Sequence, residues 1–506
     1  MNIYDVVVIG GGINGCGIAN DAAGRGLNVL LCEKNDLASS TSSNSTKLIH
    51  GGLRYLEHYE FRLVREALAE REVLIRNAHH IIWPLRFILP HRPHLRPGWM
   101  ILAGLFLYDN LSKLTTLKKS CGVKFQPANP LVSDIKKGFE YSDAWVDDSR
   151  LVVFNAMSAK ENGATIRTQH QCIKAVREDK YWLIDLKDNN THKTTTIKCR
   201  VLVNAAGPWV ADLFSTIVDV KAPQNVRLIK GSHIVVPKMH DGDKAYILQN
   251  EDKRIVFVIP YEDDFTLIGT TDVEIKQDPA SVKISDDEIE YLVNVTNKNF
   301  KNKICRSDIV HTYSGVRPLL DDESASAQAI TRDYTLELNN ENDAAPLLSV
   351  FGGKITTYRK LAEAAVDKIS PFFKTIGPNW TKHTPLIGGG FASHESLSET
   401  MTEQYPWLEH FIRERFVRSY GTLAHQILSS CSAIKDMGQH FGAGLYECEV
   451  QYLIDAEWAQ SANDVIWRRT KLGLRLSKEE QIVLSDFIDN SRTQTRQISE
   501  ESSVTS

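Results

Sequence analysis

The chain has 506 residues, 42% of them hydrophobic and 24% charged, which suits two to four globular domains with ample core. A formal charge of −4 excludes nucleic-acid binding driven by whole-protein charge. The eight cysteines are scattered with no CxxC pair, so no metal site or redox dithiol is expected and free thiols in a reducing cytosol are.

The apolar, β-branched run Val6-Val7-Val8-Ile9 reads as a buried parallel strand. It starts too near Met1 to leave place for a usual signal peptide. The run breaks at Gly10-Gly11-Gly12-Ile13-Asn14-Gly15, a GxGxxG pattern, and a small-residue helix is predicted over 16–25 with Gly26 as its C-cap. Asn28 to Cys32 is a second strand, and Glu33 stands at its end, 23 residues after Gly10. Each part has a physical role. Gly10 makes the tight turn, Gly12 lets the backbone approach a pyrophosphate at the helix N-terminus, and Gly15 lets helix and strand pack closely. Glu33 can bind a ribose hydroxyl. A Gly-rich turn in an unrelated α/β protein is the alternative, but strands, helix and acid in register favour a dinucleotide site.

The polar loop from Ser39 to Lys47 offers Thr41, Ser42 and Lys47 as a second approach to phosphates. Leu48-Ile49-His50-Gly51-Gly52-Leu53-Arg54-Tyr55 follows, then a predicted helix over 57–78 with Leu63, Val64, Ala67, Leu68, Leu74 and Ile75 on one face. Residues 83–108 carry four prolines, Arg86, Arg92 and Arg96, interleaved aromatics and no acid. They suit either an anionic bilayer surface or an internal excursion with a buried helix. The apolar part, 99–108, is too short to span a membrane of about 30 Å. Val201 to Trp209 is a strand running into a small-residue turn, and from about 227 to 330 period-two strands predict an antiparallel sheet, with Glu262-Asp263-Asp264 as a hairpin turn. Leu347 to Phe351 returns as a buried strand, ends at Gly352-Gly353-Lys354-Ile355-Thr356-Thr357, and leads into a helix through Ile369. Helical periodicity dominates from 390, Ser477 to Glu480 is a capping box, and the Ser/Thr/Glu-rich tail from Asn490 is expected to be disordered.

An N-terminal βαβ unit serves NAD or FAD. FAD is favoured because the motif opens the chain, because the turns at Ala205-Ala206-Gly207-Pro208 and Gly352-Gly353-Lys354 supply two further strand ends for one long ligand, and because no second complete GxGxxG exists.

The stretches Gly10–Gly26, Lys47–Tyr55, Lys230–Pro237, Thr312–Pro318 and Ser349–Lys360, with Trp467-Arg468-Arg469-Thr470-Lys471 near the end, resemble the bacterial FAD-dependent, respiratory glycerol-3-phosphate dehydrogenases over nearly the whole chain. The resemblance implies an α/β fold: a glutathione-reductase-like, Rossmann-type FAD-binding domain, an antiparallel β-sheet substrate domain and a C-terminal α-helical cap. The first two interleave over 1–386, with FAD mainly at 1–80, 150–225 and 330–386 and substrate mainly at 81–149 and 226–330; the cap covers 387–490 and the tail 491–506. It implies oxidation of sn-glycerol 3-phosphate to dihydroxyacetone phosphate, with electrons passed to membrane quinone. The cytoplasmic face of the cell membrane, peripheral binding to anionic lipid, and a homodimer as one possibility are expected with it. FAD, held noncovalently, is then assigned to Gly10, Gly12, Asn14, Gly15, Glu33, Thr41, Ser42, Lys47, Leu48, Ile49, His50, Ala206, Gly207, Gly353, Lys354, Ile355 and Thr356.

Oxidising a secondary alcohol needs a proton acceptor at the hydroxyl, and a phosphate dianion needs cations, arginine forks best of all. Arg54, Arg317, Arg332 and Lys354 are assigned to the pocket on the resemblance, with Tyr55 and Thr270 as further binding groups. His233, Arg317 and Lys354 are the candidate catalytic residues; His233 suits a base, while Arg317 or Lys354 could instead stabilise an alkoxide. Three other readings stay open: an FAD-dependent amino-acid or amine oxidase, an oxygen-using glycerol-3-phosphate oxidase, and a flavin-free binding protein like the Rab-binding dissociation inhibitors.

Overall fold

The opening apolar run forms the strand Ile3–Ile9, with Val6, Val7, Val8 and Ile9 all buried. Val29–Cys32 lies parallel on one side and the end of Thr194–Asn204 parallel on the other. Thr165–Arg167 and Leu347–Phe351 extend the parallel set outward. The antiparallel strand Thr335–Asn339 closes one edge, and the hairpin His170–Glu178/Tyr181–Asp188 pairs with the start of Thr194–Asn204. A computed structural model describes residues 3–218, 226–320 and 333–504 in this way. The carboxyl ends of three parallel strands, at Ile9, Asn204 and Phe351, therefore share one edge, where open α/β sheets bind ligands.

The helix Ile13–Gly24 covers this sheet together with Asp148–Glu161 and Tyr358–Ile369. Its small residues allow close packing: a Cβ on Gly17 would lie 2.9 Å from the Tyr358 ring. The second sheet is built on Val226–Pro237, flanked antiparallel by His311–Leu320 and Phe265–Gly269. It continues through Ile255–Tyr261, Ala245–Gln249, Ile82–Pro90 and Lys137–Val146 to the short strand Leu48–Ile49. The predicted hairpin turn is present, with Glu262 and Asp263 both at positive φ.

One alternative left open by the sequence is narrowed and one expectation is corrected. The basic-aromatic stretch does not lie on the surface as a unit. Ile82–Pro90 is an inner strand paired on both sides, and its neighbours consume the arginines. Arg86 pairs with Glu140 at 2.7 Å, Arg92 with Asp134 at 2.5 Å and Arg96 with Glu57 at 3.6 Å. Acids distant in sequence supply the counter-charges that local composition lacks. The tail is also not wholly irregular: the last helix runs Lys478–Val504, because no Gly or Pro interrupts it and Leu484 and Ile488 anchor it in the core.

The helical end is attached by buried ion pairs. Arg150 forks onto Glu457 with both side chains at 0% exposure and Arg469 onto Asp36, while Arg415 forks onto Glu449 within the helical end itself. Lys471 reaches Asp147, the N-cap of Asp148–Glu161.

Candidate active site

At the first glycine turn the helix Ile13–Gly24 follows Gly12 as its N-cap residue, which has no side chain to cap the first amides. Its first amides face the strand end, an arrangement suited to an anion. Gly10 sits at φ +114 with a Cβ position 2.5 Å from the Ala205 carbonyl oxygen, and a Cβ on Gly15 would fall 1.9 Å from the Gly10 oxygen. A Cβ on Gly12 would meet only the Ser42 Oγ, at 3.2 Å. Gly10 and Gly15 are thus required by the protein's own backbone, whereas Gly12 keeps clear a space that the protein does not fill. That is the fit expected for a dinucleotide pyrophosphate. Ser42 Oγ accepts the Ile13 amide at 3.0 Å, beside that space. Glu33 accepts the Gly11 amide at 2.7 Å and the Asn35 amide at 2.8 Å, one on each oxygen, and retains acceptor capacity for ribose hydroxyls. Burial raises its pKa, against the lowering effect of those two amides.

The predicted segments converge across large sequence separations. Asn14 Nδ2 donates to the Gly352 carbonyl at 3.2 Å, and its buried Oδ1 has no hydrogen-bond partner among the described residues. The His50 amide donates to Thr356 Oγ1 at 3.2 Å, and Ala206 and Gly207 stand at the strand end beside Gly10. Gly353 packs over Asn14 and, at φ +99, needs to be glycine. The double glycine leads into a short 3₁₀ turn, Ile355–Thr357, and the α-helix begins only at Tyr358. The helix thus starts directly after Thr357 and runs to Ile369, as the sequence predicts. Leu48 and Ile49 form a buried strand paired with Trp145 and Ala144.

Two side chains assigned to the cofactor are engaged elsewhere. Lys47 is buried and its ammonium pairs with Asp148 at 2.6 Å and donates to the Ser43 carbonyl at 3.0 Å. Thr41 Oγ1 donates to the Val316 carbonyl at 2.6 Å. Thr41 ties the loop to the second sheet and Lys47 ties it to the start of the helix Asp148–Glu161, instead of presenting phosphate donors. Asp148, a hundred residues downstream, gives no local signal of this role.

The second sheet presents the candidate chemistry on one face. In the register of Val226–Pro237 against His311–Leu320, His233 opposes Tyr313, Gly231 opposes Gly315 and Ile229 opposes Arg317, so alternate positions share a face. A Cβ on Gly231 would lie 2.5 Å from Arg317 Nη2 and 2.6 Å from Thr270 Oγ1, so glycine lets these two side chains sit together. Arg317 also pairs with Asp272 at 2.8 Å, two residues after Thr270. The loop is fixed by Glu288, which accepts from Thr271 Oγ1 at 2.6 Å and Ser232 Oγ at 2.9 Å and pairs with Lys230 at 2.6 Å. Asp272 and Glu288 have no signal in the sequence, since acids near a turn carry no distinctive pattern.

His233 is 2% exposed, stacks on Tyr313 at 4.8 Å between centroids, and shares a 3.0 Å hydrogen bond between Nε2 and Thr46 Oγ1. Its buried Nδ1 has no partner among the described residues. Burial pushes its pKa down to about 3, with the Lys47 and Arg317 charges adding to the effect, so the imidazole is neutral. Tyr55 lies beneath the Lys354 ammonium, 3.9 Å from ring centroid to Nζ. Arg54 precedes Tyr55 in the turn Leu53–His58 and makes no ion pair among the described residues. Arg332 lies outside the described residues.

The helical end supports both halves of this site. Trp467 stacks on His311 at 3.9 Å, on the strand that carries Arg317, while Arg468 and Arg469 both hold Asp36, three residues after Glu33. The role of these residues appears only in the tertiary contacts.

Residues 5–359 match the model of the family described as FAD dependent oxidoreductase, and 379–490 that of the C-terminal domain of alpha-glycerophosphate oxidase. A glycerol-3-phosphate dehydrogenase of Pseudomonas aeruginosa is 56% identical over 96% of this chain and 95% of its own. A D-erythritol 1-phosphate dehydrogenase of Brucella abortus is 48% identical over 96% of this chain and 98% of its own. The crystal structure of the glycerol-3-phosphate dehydrogenase from Bacillus halodurans complexed with FAD superposes with a TM-score of 0.74 at 26% identity, covering 97% of this chain and 94% of that one.

Proposed function

The chain belongs to the FAD-dependent oxidoreductases, among the glycerol-3-phosphate dehydrogenases, and from that premise we propose that it oxidises sn-glycerol 3-phosphate to dihydroxyacetone phosphate and delivers the electrons to membrane quinone. The observation that supports the substrate reading is that Lys354 lies over Tyr55, whose neighbour in the same turn is Arg54, while Arg317 and Thr270 come together over Gly231. Three cations suit a phosphate dianion better than the single carboxylate of an amino acid.

FAD, the cofactor, would supply the two-electron acceptor for the substrate carbon when bound. Gly12, Asn14, Ser42 and Glu33 would hold its dinucleotide half, and the turn at Gly353 its other end. The protein's remaining tasks are to bind phosphate, to orient C2 and to take the hydroxyl proton. Arg54 and Lys354 bind the phosphate. Arg317, oriented by Asp272, lies between phosphate and hydroxyl. His233 takes the C2 hydroxyl proton on its free nitrogen. In the uncomplexed chain the cations facing His233 oppose a second positive charge. A bound dianion offsets them, so the base gains strength only when substrate is present. As the C–H electron pair leaves and the O–H proton moves to imidazole, C2 becomes a carbonyl.

The quinone and bilayer parts rest on a different element. The helix Gly98–Asn110 is apolar from Gly98 to Tyr108, yet Trp99 is 69% and Phe106 72% exposed, with Met100, Leu102 and Leu107 beside them. At 13 residues it is about 20 Å long, too short to cross a bilayer of about 30 Å. No helix among the described residues is long and apolar enough to span. Arg65, Lys113 and Lys119, together with Asp109, line a cavity of about 530 Å³ at its C-terminal end. Aromatic side chains beside cations suit the interface of an anionic membrane, where quinone is reached, on the cytoplasmic side.

The decisive experiment is anaerobic bleaching of the bound flavin. sn-Glycerol 3-phosphate is expected to bleach it at a catalytically competent rate, whereas glycerol and amino acids leave it yellow. Faster bleaching by D-erythritol 1-phosphate would transfer the assignment to that substrate. Stoichiometric peroxide with air as sole acceptor would make the protein an oxidase.

A further inference from the structure

Of the helix Gly98–Asn110, only Leu105 and Tyr108 are buried. Tyr108 is engaged twice through its hydroxyl. It donates to Asp143 Oδ1 at 2.7 Å and accepts the Gly51 amide at 2.8 Å. Asp143 is fixed from behind by Arg71 at 2.6 Å, both side chains being buried. Gly51 is pressed against this group: a Cβ there would come 2.7 Å from the Tyr108 oxygen and 2.5 Å from Leu68. The next residue, Gly52, adopts φ +75 and turns the chain into Leu53–His58, which carries Arg54 and Tyr55. Glu57 of the same turn faces Arg96 at 3.6 Å, just ahead of the helix N-cap at Pro97. The substrate turn is therefore fastened at Tyr108 to a helix whose outer face is apolar and exposed, and at Arg96 to the segment leading into that helix.

We propose that Tyr108 is a positioning residue for the substrate turn, linking the helix Gly98–Asn110 to Arg54 and Tyr55 so that seating the helix on an anionic bilayer tightens substrate binding. The linkage to the bilayer rests on the docking reading above; the positioning role does not. A buried backbone N–H requires an acceptor, and without the Tyr108 hydroxyl Gly51 keeps only Asp143 Oδ1, at 3.4 Å. Burial, together with the Asp143 charge, holds the phenol protonated, so this donor does not titrate in the working range. Arg54 and Tyr55 follow wherever Gly51 and Gly52 go.

The test uses full-length holoenzyme, a water-soluble dye as acceptor, and vesicles of phosphatidylglycerol and phosphatidylcholine. Tyr108→Phe keeps the ring and removes the hydroxyl. Without vesicles it is expected to raise KM for sn-glycerol 3-phosphate about tenfold while kcat changes less than about twofold, with flavin content intact. Vesicles are expected to lower KM of the parent enzyme and not that of Tyr108→Phe, although both float with the lipid. Hydrogen exchange of the parent is the measurement independent of the variant: amides 51–58 should exchange more slowly once vesicles are added. An unaltered KM in Tyr108→Phe without lipid overturns the positioning role. An equal vesicle effect on both proteins, or unchanged exchange at 51–58 in floated parent enzyme, overturns the coupling. Failure of the parent to float defeats the docking reading, and with it the coupling, but leaves the lipid-free KM comparison to judge Tyr108.

Discussion

Gly12 offers the sharpest separation of a residue kept for the cofactor from one kept for the fold. Its φ is −83°, a conformation open to any L-residue, and a Cβ would contact nothing closer than Ser42 Oγ at 3.2 Å. Gly12→Val should therefore leave the flavin-free chain within about 1 kcal/mol of the parent, the scale of an exposed substitution plus a poorer N-cap. The same side chain stands where a pyrophosphate must approach the helix amides. Losing one charge-assisted hydrogen bond weakens binding by about 1.5–3 kcal/mol, and displacing the phosphate from two doubles that, or roughly 10²- to 10⁴-fold in FAD affinity. Gly15→Val is the contrasting control. Its Cβ would sit 1.9 Å from the Gly10 oxygen, so helix and strand must separate at a cost of about 1–3 kcal/mol or more, whether or not flavin is present. The assay pairs flavin absorbance per chain with thermal unfolding of deflavinated protein. Gly12→Val purified yellow at one FAD per chain would refute this account of the site, as would a flavin-free Gly12→Val that melts like Gly15→Val.

Arg317→Met and Lys354→Met should lower kcat, and kcat/KM more than tenfold, because a charged contact near C2 contributes about 1.5–3 kcal/mol; Arg54→Met should chiefly raise KM, as steady-state kinetics will show. His233→Gln should slow flavin reduction at saturating substrate by roughly 10²-fold, read by rapid mixing, and near-parental reduction would leave Arg317 or Lys354 to assist deprotonation. The folded pKa of His233, about 3, lies below its unfolded value, so its neutral burial contributes stability fully present above about pH 6.5 and lost as pH falls toward 3. Acid unfolding of His233→Gln should accordingly be shallower across that window. Arg469→Met removes one of two arginines on buried Asp36; a loss of about 3 kcal/mol, at the low end for a broken buried pair because Arg468 remains, should appear as faster FAD release on warming. Trp99→Ser with Phe106→Ser should abolish vesicle flotation and spare dye reduction, whereas Arg86→Glu should destabilise the second sheet by meeting Glu140.

The residues themselves determined the nucleotide half of the molecule. A buried parallel strand must be apolar, a tight strand-to-helix turn must be glycine, and a ribose acid must stand at the next strand end; these demands fall within 33 consecutive residues, so Gly10, Gly12, Gly15 and Glu33 were legible without coordinates. Period-two runs likewise disclosed the strands around His233, and the motif resemblance supplied Arg54, Arg317 and Lys354. Tertiary structure decided how each charge is used. Lys47 reads as a phosphate donor in sequence, but Asp148 neutralises it, and Arg86, Arg92 and Arg96, open in sequence to a lipid-facing or an internal role, are taken by Glu140, Asp134 and Glu57. Asp272 beside Arg317, Asp36 beneath Arg469 and Tyr108 beneath Gly51 were equally hidden. Backbone demands are local and leave a pattern of residue types along the chain. A charge or hydroxyl is defined by whichever partner folding brings within 3 Å, and that partner can lie hundreds of residues away.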